Sequence, residues 1–100
     1  MAIQGAQWVA AATATSLTTA LGLTTPVLVT RAIITNKTGA ANILYVGGSD
    51  VANTPANAWL EIAAAATKEF GEPDQHFSSD NVYLVGTVNA ANVAFILVIT

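Results

Sequence analysis

Four of the six acidic residues, Glu69, Glu72, Asp74 and Asp80, fall within one short stretch that also carries His76. Oxygen-rich clusters of this kind hold hard cations such as calcium. The ligand order of an EF-hand is missing, and Gly71 and Pro73 break the backbone, so the cluster reads as a solvated loop. His76 is the only histidine. A general base or a metal ligand needs oriented partners; here there is no cysteine, and no serine sits in a Gly-x-Ser-x-Gly elbow. Beside Phe77, His76 reads as a packing or hydrogen-bonding residue. Gly47-Gly48-Ser49-Asp50 would aim backbone amides at an anion, but the spacing and the lysine of a phosphate-binding loop are absent. It reads as a turn that leaves a strand at positive φ, with Ser49 or Asp50 bonding backbone amides. No catalytic, cofactor-binding or metal-binding residue is assigned, and the chain is not expected to be an enzyme.

The elements around these residues are more telling. Val93-Ala94-Phe95-Ile96-Leu97-Val98-Ile99 puts Val93, Phe95, Leu97 and Ile99 on one side of a strand, and Ala94, Ile96 and Val98 on the other. Ile43-Leu44-Tyr45-Val46 and Val82-Tyr83-Leu84-Val85 are also apolar on both sides. A free-standing antiparallel sheet alternates apolar and polar residues because one face meets water. The second face is therefore expected to meet another polypeptide, which makes the chain an assembly component.

Composition agrees. One hundred residues without a long linker make one domain. Charged residues are 9% of the chain, against about 25% in typical globular domains. Surfaces must be built from Thr, Asn, Ser, Gly and Ala, which cost little to desolvate, and interface cores are depleted in charge for that reason. The net charge of −3, with only Arg31, Lys37 and Lys68 basic, argues against nucleic acid. No stretch approaches the roughly 20 apolar residues that span a bilayer. Met1-Ala2-Ile3-Gln4-Gly5 lacks the basic start of a signal peptide, so Asn36-Lys37-Thr38 reads as a turn and not as a glycosylation site.

Short β-rich segments between turn signals predict an all-β fold: a single antiparallel β-sandwich or jelly-roll-like domain over residues 26–100. Residues 1–25 are expected to form an extended N-terminal arm or first strand, with a strand at 8–12 and a Thr-rich stretch broken at Gly22. Strands are predicted at 27–35, after Pro26 has fixed an extended entry, and at 42–46. Asn36-Lys37-Thr38-Gly39 is a turn and Asn53-Thr54-Pro55-Ala56-Asn57 a loop. Residues 82–88 and 93–100 are expected to form a hairpin across Asn89-Ala90-Ala91-Asn92. The alanine run in residues 58–67 favours helix on propensity, but the alternation of Trp59 and Glu61 with Leu60 and Ile62 suits a strand passing into a connection, and in an all-β context a strand is expected. Asn42-Ile43-Leu44-Tyr45-Val46-Gly47 and Asn81-Val82-Tyr83-Leu84-Val85-Gly86 echo one another, too briefly to count as a repeat.

Phe95, Tyr45 and Tyr83 read as core. Trp8 and Trp59, set among alanines near chain edges, suit either a core position or an interface anchor. Together with the outward set Ala94, Ile96 and Val98, these two are the candidate interface residues.

Ile43-Leu44-Tyr45-Val46-Gly47-Gly48-Ser49-Asp50-Val51, followed by Asn81-Val82-Tyr83-Leu84-Val85-Gly86 and a closing aliphatic strand, resembles a pattern in small virion proteins of tailed bacteriophages. The resemblance covers residues 28–100. Where those proteins often carry a Pro-Gly turn after the loop, this chain has Ala63-Ala64-Ala65-Ala66. The resemblance implies a β-sandwich or jelly-roll module that decorates capsids or contributes to tails and fibres, with no enzymatic activity and no cofactor. The expected function is a capsid decoration (cement) protein on the virion surface, assembled in the host cytoplasm. It would form a homo-oligomer, a trimer, bind between major capsid subunits, and touch neither nucleic acid nor membrane. In this reading the 1–25 arm lies along the capsid or a sister subunit. The alternatives are a tail, baseplate or head-fibre component, and a carbohydrate-binding module using Trp59 with Asn53 and Asn57.

Overall fold

A computed structural model describes residues 3–9, 11–37, 43–52, 54–72, 74–87 and 93–100. The fold is all-β and antiparallel. Ten strands are described: β1 (Ile3–Val9), β2 (Thr15–Ser16), β3 (Leu28–Val29), β4 (Arg31–Asn36), β5 (Leu44–Gly47), β6 (Ala58–Ile62), β7 (Thr67–Phe70), β8 (Phe77–Ser78), β9 (Tyr83–Gly86) and β10 (Val93–Ile99). The one α-helix among the described residues is the single turn α1 (Leu17–Ala20), capped by the Ser16 hydroxyl, which accepts from the Thr19 amide. The first sheet runs β1-β10-β4-β7 and the second β2-β9-β5-β6, with β3 and β8 as a separate pair. Both sheets feed one core: Trp8, Ala32, Ile34, Ala94, Ile96 and Val98 from the first meet Leu44, Val46, Ile62 and Leu84 from the second.

Several expectations change. Of the arm and the first strand expected for residues 1–25, the strand is what forms, over residues 3–9 and not 8–12, at a sheet edge in register with β10 from Ile3 opposite Ile99 to Val9 opposite Val93. The stretch after it is equally integrated. The Ala11 carbonyl accepts from the Gly86 amide at 2.8 Å, β2 pairs with β9, and Leu17 is fully buried. The physical reason is that Trp8, Leu17 and Ala20 supply core that the remaining strands cannot replace. Nor do β9 and β10 form a hairpin: they belong to different sheets, and the intervening turn at 89–92 lies outside the described residues. The predicted strand at 27–35 is broken at Thr30, whose amide and hydroxyl both bond the Ile99 carbonyl oxygen. In the predicted turn at 36–39, Thr38 and Gly39 are outside the description, and Asn36 ends β4.

The alanine run does follow a strand into a connection. It carries the chain from the second sheet to the first between β6 and β7. Ala65 takes a left-handed φ of 65° there, which costs an L-residue about 1–2 kcal/mol. Buried Asn36 holds the turn. Its amide donates to the Ala66 carbonyl, its own carbonyl accepts from the Ala65 amide, and its Nδ2 donates to the Ile62 carbonyl at 3.1 Å. The two echoing segments turn out to be neighbours, with Leu44 opposite Gly86 and Gly47 opposite Tyr83.

Candidate functional site

The strands apolar on both faces separate into two cases. In the second sheet, the face of β5 and β9 away from the main core is covered by the chain itself: Tyr45, Val51 and Val85 form a second buried cluster, with Ala14, Ile43, Ala58 and Tyr83 packed against it. The turn that delivers Val51 onto this face is closed by its amide donating to the Gly48 carbonyl at 3.0 Å. Gly47 permits the approach, since a Cβ there would lie 2.8 Å from the Asn57 carbonyl oxygen and 3.1 Å from Val51. Neither Gly47 nor Gly48 has a positive φ, so this glycine pair answers to close packing and not, as expected, to backbone handedness.

The first sheet differs. Ala94, Ile96 and Val98, expected to face outward, are at most 2% exposed and lie in the core, so they offer no surface to a partner. Trp8 is core as well. Phe95 and Leu97 of β10 point outward, at 39% and 38% exposure, so Phe95, expected in the core, lies on the open face instead. Both phases of a strand apolar on two faces fit the alternation equally. Size complementarity across the sheet breaks the tie: Trp8 stands opposite Ala94, Ala6 opposite Ile96, and Val98 opposite Ala32.

The exposed face is built in rows. Gln7, Phe95, Thr35 and Thr67 form one, and Gly5, Leu97, Ile33 and Glu69 the next. Thr35 and Thr67 share a 2.8 Å hydroxyl–hydroxyl bond. A shallow groove of about 500 Å³ crosses these rows, lined mainly by Gly5, Gln7, Ile33, Thr35, Phe95 and Leu97. Neither β1 nor β10 carries a charged residue. Ile3 and Val9, 64% and 56% exposed, extend the apolar surface along the edge.

Trp59, 61% exposed, is on another surface. It is the extra residue of a β-bulge: Val46 opposes Leu60 but Gly47 opposes Ala58, and a Cβ on Gly48 would touch its ring at 3.5 Å. Of its suggested carbohydrate partners, Asn53 lies outside the described residues, and Asn57 Nδ2 donates to the Asp50 carbonyl at 3.2 Å. Trp59 shares the exposed phase of β6 with Glu61, whereas Trp8 sits in the buried phase of β1.

The chemically suggestive residues are dispersed. Glu69 is on β7, Glu72 bridges to Gln75, and Asp74 and His76 are exposed. Among the described residues no three acidic or histidine side chains converge where a metal would sit. One polar cluster joins residues too far apart in sequence to be seen there. Fully buried Ser79 accepts from the Val27 amide at 2.9 Å and bonds the Thr18 hydroxyl at 2.6 Å, while Thr18 donates to Asp80 at 2.6 Å. With one proton on each hydroxyl, the direction is set from Val27 through Ser79 and Thr18 to the carboxylate. The cluster joins α1 to the turn at Ser79–Asn81.

No protein-family model matches this chain, and no curated protein or solved structure does so either.

Proposed function

We propose that this chain is a structural protein of a tailed-bacteriophage virion, a capsid decoration protein that stabilises the head by binding between major capsid subunits. The observation that carries the reading is the part of the first sheet's outer face built by β1 and β10, which is free of charged residues and where Phe95 and Leu97 lie open beside Ile3 and Val9, with half-buried Ile33 adjoining them. Such a face loses little on desolvation and gains from every apolar contact, at about 25 cal/mol per Å² buried. A protein that binds only the mature lattice stabilises it by mass action, and repetition over the shell lets a modest interface suffice. The resemblance of the strand-turn motif at residues 43–51 to small virion proteins supports the same class, as does the pairing of two sheets in one small domain.

The test is binding to purified heads followed by a map of the particle. Density for the chain on the shell at junctions between capsid subunits is the expected result, with Phe95→Asp and Leu97→Asp each abolishing occupancy while the isolated chain stays folded. Density confined to the tail or baseplate would favour the alternative structural role. Undiminished head binding by both variants would reject this face as the contact.

A further inference from the structure

Sheet edges are exposed rows of unpaired backbone donors and acceptors, and proteins protect them with charge, proline, bulges or brevity. Of the four edges that the two four-stranded sheets show among the described residues, three are protected. β2 has two residues; β7 has four and carries Lys68 and Glu69; β6 carries Glu61 and the bulge at Trp59. The separate β3-β8 pair is protected by brevity, at two residues a strand, whereas the remaining edge, β1, has none of these devices. It is seven residues long, without charge or proline, and its register with β10 is unbroken. Among the described residues nothing pairs with its outer side.

We propose that β1 pairs antiparallel with β1 of a second copy of this chain, about a two-fold axis through Ala6. The strand is self-complementary in that register. Ile3 falls opposite the second copy's Val9 at both ends, joining the two most exposed apolar side chains of the strand, and Gln7 falls opposite Gly5, which leaves room for the longer side chain. Partners so placed lie about 4.5–5.5 Å apart and share a face. Electrostatics does not oppose a like partner at this edge: every charged residue lies outside β1 and β10, so two copies of a chain of net charge −3 meet where neither carries charge. The product is one eight-stranded sheet, β7-β4-β10-β1-β1-β10-β4-β7, with both apolar outer faces on the same side. This closed two-fold pair replaces the trimer expected from the sequence, and it stands whether or not the partner of the outer face is a capsid.

Sedimentation equilibrium of the full chain gives the first measurement: twice the 10.2 kDa chain mass is expected at high concentration. Ile3→Lys combined with Val9→Lys sets like charges against each other at both ends and returns the chain mass. Ile3→Lys combined with Val9→Glu sets opposite charges there and restores the doubled mass, a rescue specific to this antiparallel register. Both sites are exposed, and unchanged far-ultraviolet circular dichroism confirms folding. A second measurement needs no variant: amide exchange in alternate residues of β1 slows as concentration rises. A wild-type monomer or trimer, a dimer indifferent to the paired lysines, a folded charge-swapped variant that remains monomeric, or β1 exchange independent of concentration would each overturn the pairing.

Discussion

The Thr18 hydroxyl donates a 2.6 Å hydrogen bond to the Asp80 carboxylate across 62 positions of sequence. Thr18 is 6% exposed, and its oxygen also accepts from Ser79, so one small side chain ties the first helical turn to the entry of β9. Thr18→Val keeps the shape and removes both bonds, leaving the buried Ser79 proton without an acceptor. A loss of about 1–3 kcal/mol is expected in urea unfolding, with Thr18→Ser recovering most of it. A midpoint unmoved by Thr18→Val would show the network to be dispensable.

Asn36 makes a comparable prediction at the crossover. Its Nδ2 bond to the Ile62 carbonyl is fully buried, so Asn36→Leu strands that acceptor and loses the side chain's hold on the turn around Ala65. Stability is expected to fall by about 1–3 kcal/mol, read from the denaturation midpoint at constant m-value.

Two glycines differ in a way that stability measurements can resolve. Gly22, at φ 74°, has open space where a Cβ would go, so Gly22→Ala meets only backbone strain of about 1–2 kcal/mol. Gly71, at φ 108°, would place its Cβ 2.2 Å from the Thr30 carbonyl oxygen. Gly71→Ala must push β7 and the start of β4 apart, and its melting temperature is expected to drop well below that of Gly22→Ala.

The two faces of β10 respond oppositely to charge. Ile96→Asp buries a carboxylate in the core, and the chain is expected to unfold or lose more than about 3 kcal/mol. Phe95→Asp, one residue away on the open face, leaves the melting temperature within a few degrees. Equal damage from both would mean that the outer face is covered in the isolated chain.

Deleting residues 1–25 removes Trp8, Leu17 and Ala20 from the core and uncovers the edge of β10. Loss of the cooperative unfolding transition is expected by calorimetry. A truncated chain that melts cooperatively would restore the idea of a detachable arm.

The all-β character was legible because it rests on local signals: β-branched runs, punctuating turns, and the alternation that carried residues 58–62 into a strand despite the alanines that follow. The scarcity of charge and the excess of apolar strand faces were legible as well, since they are properties of composition. What sequence could not decide is which face of β10 points inward, because both phases of Val93–Ile99 are apolar and a period of two assigns neither. That choice was made across the sheet, by bulky Trp8 needing small Ala94 beside it. The same holds for the second face of β5 and β9, which Val51 covers from within the chain, and for the partners Thr18 and Ser79, which are 61 residues apart. Local preference determines which segments extend. Packing between distant segments determines which of their surfaces remain open to a partner.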